Sequence, residues 1–187
     1  MDAAIEVIAE NGFFNSPIST IAARAGVADG TVYLYFKSKD QILRAAIDTA
    51  FLRFFERVRA EMADTKNAEQ QLRILVRLHL ETLAANHALA VVMQTEVRQS
   101  ARFIAEFSRQ HLVDYLNLTR EVIRRGQQQG VFRADASDRT VAHCLFGALD
   151  EMVSSWVFTE RPFEPATTAS QVLDVIFRGI ETTQPHA

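Results

Sequence analysis

The sequence predicts an all-α protein, on three observations. Apolar residues recur at spacings of three and four along nine segments, and none of the chain reads convincingly as a strand. Only seven glycines and four prolines occur, and they cluster at the breaks between those segments. With 187 residues, 48% hydrophobic and 23% charged, the chain can fill one sizeable core or a small domain fused to a larger one. Neither an internal repeat nor a low-complexity tract interrupts it. The longest apolar run, Ala88 to Met93, is far too short to span a bilayer, and no secretory apolar segment opens the chain. No membrane role and a cytoplasmic location are therefore expected. The single cysteine, Cys144, excludes an internal disulfide framework.

The first helix is expected from Ala4, Ile5, Ile8 and Ala9, with Gly12 as a left-handed cap. In "SPISTIAARAG", Ser16 is placed to cap a second helix, Pro17 suits its first position and Gly26 ends it. A third short helix follows the turn Ala25 to Val27. Ser38 caps a fourth, whose apolar positions continue through Phe51, Phe54, Phe55 and Val58 to about Met62. A fifth spans about 67–85 and a short sixth about 88–99. Ser100 is placed to cap a long seventh that ends near Gln128, with Gly126 and Gly130 at its exit. The last two run from about 137 to 158 and from about 165 to 180, separated by "ERPFEP".

The third helix, within "GVADGTVYLYFKSKDQ", is a poor helix former. Gly30 costs about 1 kcal/mol against alanine, and β-branched and aromatic residues lose rotamer freedom behind it. Two short helices joined by "AGV" are the helix-turn-helix arrangement, whose second helix lies in the major groove. Val32 and Phe36, four apart, can pack inward, which leaves Asp29, Gly30, Thr31, Tyr33 and Tyr35 facing out. That set suits DNA better than it suits a helix. Gly30 lets backbone approach phosphate; Thr31 offers a hydroxyl and a methyl; the tyrosines pair an apolar ring with a phenol; Lys37 and Lys39 bring charge to the helix exit. The alternative is a connector whose tyrosines are half-buried on a neighbouring helix. Bulk charge gives no help: the net charge is −3, and the first 48 residues carry more acidic than basic groups.

"IAARAGVADGTVYLYFKSKDQIL" resembles, nearly position for position, the signature of the TetR family of bacterial one-component repressors. The resemblance implies an N-terminal three-helix DNA-binding domain over 1–44, with its helix-turn-helix at about 17–36, and a helical ligand-binding and dimerisation domain over 45–187. It also implies phosphate contacts from Ser16, Ser19, Thr31, Tyr35 and Lys39, and base contacts from Asp29 to Tyr33. Chains of this family carry a basic arm ahead of helix one, whereas this sequence starts at the helix. Either the arm lies outside the sequence or nonspecific affinity is lower.

"LAVVMQTEVRQS", "YLN" and "GALDEMVSSWV" further resemble the acyl-CoA-responsive, FadR-type fatty-acid-degradation repressors within that family. The resemblance implies a long-chain acyl-CoA effector, with no cofactor. Such a ligand needs an apolar tunnel opening on a basic mouth. Arg98, Arg102 and Arg109 share one helical stripe and suit phosphates, with Phe103, Phe107, Leu83, Met93, Phe146 and Leu149 as candidates for the tunnel wall. Read without the resemblance, the same arginines beside Glu96 and Glu106 make a solvated face, and the phenylalanines make core.

The two C-terminal helices are apolar over a wide arc, which points to burial beyond their own domain. The alternative is a helix pair fully enclosed within one chain; the resemblance to the TetR family implies a homodimer through 137–158 and 165–180, which also matches palindromic operator half-sites. The sequence admits three rival readings. For an enzyme, the five histidines are scattered, and neither a nucleophile elbow nor a phosphate-cradling loop appears. For a helical acyl-CoA or lipid carrier without a DNA role, Gly30, Thr31, Tyr33, Tyr35 and Lys39 have no use. A repressor sensing a drug or aromatic compound changes the ligand but not the class.

Overall fold

The computed structural model describes residues 1–97, 109–159 and 162–180. Nine α-helices and no strand occur among them: α1 (Asp2–Asn11), α2 (Ile18–Arg24), α3 (Asp29–Tyr35), α4 (Lys39–Ala63), α5 (Ala68–Ala84), α6 (His87–Val92), α7 (Arg109–Gln128), α8 (Asp138–Thr159) and α9 (Pro165–Ile180). A single π turn, Met93–Val97, continues α6. The expected cap Ser100 lies outside the described residues, as does the first part of the expected seventh helix.

The chain divides into two compact units. The first joins Met1–Arg53 to Asn86–His111. Its head packs Ala4 and Val7 of α1, Ile21 of α2 and Ile42 of α4 together, with Ile18, Val32 and Phe36 closing the cluster. Val32 and Phe36 thus turn inward, as their spacing predicts. Helix α6 packs along α1, so the head includes an element from beyond residue 86. A division by chain order at residue 44 and the division by packing are different things.

Local capping follows the sequence in part. Ser38 Oγ accepts from the Gln41 amide at 3.3 Å, and the Asn67 side chain accepts from the Gln70 amide at 2.9 Å. Gly12 has φ 76° but ψ 159°, so it ends α1 in an extended left-side conformation rather than the left-handed helical cap. Ser16 does not cap α2. Its hydroxyl is fully buried and donates back to the carbonyls of Val7 and Gly12, while Pro17 precedes the first turn.

The second unit joins Phe54–Ala85 to the chain from Leu112 on. Leu72, Leu75, Val76, Leu78 and Leu80 of α5 are all fully buried, and α5 packs against both α8 and α9. Leu145, Leu149 and Val153 of α8 and Leu173 and Phe177 of α9 supply the rest of that core. Phe132, just beyond α7, stacks on Phe177 with ring centroids 6.0 Å apart. The same Phe132 ring lies directly over Gly126, where a Cβ would overlap it. Gly126→Ala should therefore cost about 1–3 kcal/mol by overpacking, read as a lowered urea midpoint with an unchanged slope. An unaltered midpoint would show that the ring can move aside.

Candidate functional site

Helix α3 buries none of its own residues fully and offers a broad outward face. Tyr33 is 57% exposed and Tyr35 76%, and Asp29, Gly30 and Thr31 are exposed beside them. A Cβ on Gly30 would meet nothing within 4 Å, so packing within the protein does not require glycine here. Ser19 and Lys37 are exposed as well. Leu34, 81% exposed, belongs to the same face. The sequence reading missed it, although a leucine among outward positions is itself a signal, since an apolar tip suits a thymine methyl.

Two of the predicted phosphate contacts are engaged inside the protein. Ser16 is buried as described above. The Lys39 ammonium donates to the carbonyls of Phe13 and Phe14 and lies 4.6 Å from the centroid of the Phe13 ring. Burial holds its pKa below the ordinary lysine value, against the opposing fields of Asp40 and Glu96. Arg24 is likewise committed, with ion pairs to Glu10 at 2.7 Å and Glu6 at 3.1 Å. The hydrogen bond from Arg24 is the main cause holding the Glu10 carboxyl below its usual range.

The turn at Phe13 is held from a second side. Glu96, on the π turn, accepts the Phe13 amide proton at 3.1 Å. The end of α1 is thus gripped by Glu96 at its N–H and by Lys39 at its carbonyls. π turns cost helix regularity and recur at functional sites, and this one ends at Val97, immediately before Arg98. Glu96 stands within the quoted "QTEVRQS", but nothing in the spacing tells that its partner lies 83 residues away.

Of the predicted effector residues, Arg98, Arg102, Phe103 and Phe107 lie outside the described residues. Arg109 is exposed at the start of α7, and Met93 is half-buried on the π turn. Two residues beyond Arg109, His111 bonds Asp48 at 2.6 Å and stacks on Phe51 at 4.4 Å. In the second unit Leu83 and Phe146 are half-buried and Leu149 is fully buried.

Phe146 joins an aromatic cluster that composition alone did not reveal. Its ring lies 5.5 Å from Tyr115 and 6.3 Å from His79; Tyr115 stacks on Phe54 at 6.1 Å, and Phe54 meets Phe55 at 5.4 Å. His79 Nδ1 and the Tyr115 hydroxyl are 3.2 Å apart. Burial pushes the His79 imidazole down to about 4 and the Tyr115 phenol above its ordinary value. Both are therefore neutral at pH 7. One signal was present in the sequence: His79 lies four residues after Leu75 and four before Leu83, on the apolar stripe of α5.

These features sit on a chain with clear relatives. Residues 1–46 match the bacterial regulatory proteins of the tetR family, and residues 48–179 match the C-terminal region of YsiA-like proteins. The chain belongs to the TetR family of transcriptional regulators. This regulator is 36% identical over 180 residues to the fatty acid metabolism regulator protein of Bacillus subtilis strain 168, covering 96% of this chain and 93% of that one. It also resembles the crystal structure of the regulator FadR from Bacillus subtilis in complex with stearoyl-CoA, with a TM-score of 0.89 and 36% identity over 96% of this chain and 97% of the other. The fatty acid degradation regulator FadR of Bacillus halodurans matches at a TM-score of 0.88 and 38% identity, over 95% and 96% of the two chains. Such relatives are regulators rather than enzymes. Among the described residues, no helix of this regulator is long and apolar enough to cross a membrane.

Proposed function

We propose that this regulator is a homodimeric repressor of fatty-acid metabolism genes, released from palindromic operator DNA by long-chain acyl-CoA. The observation that carries the effector assignment is the whole-length likeness to a regulator crystallised with stearoyl-CoA. Its own residues support the reading. The rings of Phe54, Phe55 and Phe146 cluster around the His79–Tyr115 pair, and with Leu83 they are the candidates for the wall of an alkyl-tail site. Arg98, Arg102 and Arg109 are the candidates for the phosphates of the CoA head.

The DNA face is assigned to Ser19, Asp29, Gly30, Thr31, Tyr33, Leu34, Tyr35 and Lys37, with Lys39 positioning the turn behind it. A dimer through α8 and α9 is supported by the apolar side chains these helices leave outward: Met152, Phe158 and Val175 are all exposed. In the cell, the site of action follows the operator, in the cytoplasm.

Release works as a population shift. Helix α4 is one continuous segment of 25 residues. Near its start it carries Ile42 of the head core, and further along Phe54 and Phe55 of the aromatic wall. A tail that displaces those rings tilts the helix, and the recognition helices of the dimer lose their one-turn spacing. At about 0.8 kcal/mol per buried methylene, a long tail has ample energy to drive a coupling of about 1–3 kcal/mol.

The test is a thermal-shift panel of acyl-CoAs of increasing chain length, with free CoA and free fatty acids as controls. Stabilisation by long acyl-CoA that neither half produces alone is expected. A flat panel on folded, lipid-free protein would overturn the effector assignment and leave the DNA-binding one standing.

A further inference from the structure

His79 is an odd residue to place in a wall proposed for a hydrocarbon tail. It stands on α5 between fully buried Leu78 and Leu80, with Tyr115 and the rings of Phe54 and Phe146 around it. Its environment is dry enough to suppress protonation to about pH 4. Its side chain nevertheless keeps accessible surface, as do Phe146 and Leu83. The ring is thus desolvated without being sealed into the core.

Only one of its ring nitrogens is used. Nδ1 meets the Tyr115 hydroxyl at 3.2 Å, and among the described residues Nε2 has no hydrogen-bond partner. A saturated tail could satisfy nothing at Nε2, and a buried polar atom left unmatched weakens binding. A leucine would serve such a tail better, and α5 supplies leucine freely on either side.

We propose that the His79–Tyr115 pair is a polar recognition point within that wall, selecting effectors whose tail carries an oxygen, as a hydroxyl or carbonyl, at the depth of His79. The pair suits either group. The neutral imidazole presents Nε2 as donor in one tautomer and as acceptor in the other, and the Tyr115 hydroxyl rotates to complement it. Tyr115 thereby positions the imidazole and selects its tautomer, while His79 touches the ligand. This inference rests on the acyl-CoA reading for the identity of the tail.

The experiment measures equilibrium binding of stearoyl-CoA and of isomers bearing a hydroxyl or keto group at successive positions along the tail. The corresponding free acids are run in parallel. For one stretch of positions the oxygenated thioester should bind about tenfold more tightly than the saturated one, the worth of one buried hydrogen bond otherwise left unmade. His79→Leu should bring that ratio to about one, because the polar partner is gone. His79→Gln, which restores a donor and an acceptor, should recover part of it, and Tyr115→Phe should reduce it without abolishing it. A bare packing role for His79 would alter affinity for all tails alike and leave the ratio untouched.

The outcomes separate. Tight binding of stearoyl-CoA with no preference for any oxygenated isomer would overturn this inference and keep the effector reading. Discrimination among free acids with no binding of thioesters would do the reverse. Failure of every probe to bind would overturn both.

Discussion

Replacing Tyr33 and Tyr35 together with alanine should weaken operator binding by about a hundredfold or more, while the melting midpoint moves by no more than about 2 °C. Each tyrosine offers the groove a ring and a phenol, and a good base-edge or phosphate contact is worth about 1–3 kcal/mol, with every 1.4 kcal/mol a factor of ten. Both side chains are more than half exposed and pack little against the protein, so the folded state has little to lose. Fluorescence anisotropy with an operator duplex and a melting curve measure the two quantities. Unchanged DNA affinity would remove α3 from the interface. Lys39→Ala behaves differently: its ammonium holds the Phe13 and Phe14 carbonyls, so operator affinity and melting midpoint should fall together.

The second large effect is on stability against acid. His79 is held near 4 in the folded protein by burial, against an ordinary value of 6.5. Between those values the unfolded chain binds a proton that the folded chain refuses. Stability therefore is fully present above about pH 6.5 and is lost as the pH falls towards 4, by about 3 kcal/mol from this group if the whole shift is realised. Denaturant titrations at pH 7, 6, 5 and 4.5 should show this slope in the wild type and a flatter one in His79→Leu. The carboxylates held low by arginine, Glu10 and Asp138 among them, act in the same direction but only below their own unfolded values, so the window between pH 6.5 and 5 belongs to histidine. Parallel curves for the two proteins would mean that the imidazole titrates freely in the fold.

How much of this was legible beforehand divides by range. Helix positions, the cap at Ser38, and the inward turn of Val32 and Phe36 follow from residues no more than four apart, and periodicity reads such distances directly. The outward face of α3 was legible for the same reason. What failed is long-range. Ser16 carried a helix-start signal that Pro17 answered alone, because the Ser16 hydroxyl found the Val7 and Gly12 carbonyls first. Lys39 looked like a free cation at a helix exit, yet the α1–α2 turn folds back to meet it. The pairing of Glu96 with Phe13 and of His79 with Tyr115 joins residues 83 and 36 apart, and no local pattern encodes such separations. The resemblance to a known family supplied the effector class, which helical spacing could not: a phenylalanine stripe looks the same whether it faces core or ligand.

Titrating stearoyl-CoA into the regulator bound to a labelled operator duplex, with direct binding of the thioester followed in parallel, decides whether the effector releases DNA. The thioester should bind, and operator affinity should fall by about 5–150-fold at saturation, the span of a coupling of about 1–3 kcal/mol. Saturating thioester on the protein with the operator affinity unmoved would contradict that release, because a ligand that binds both states equally shifts neither.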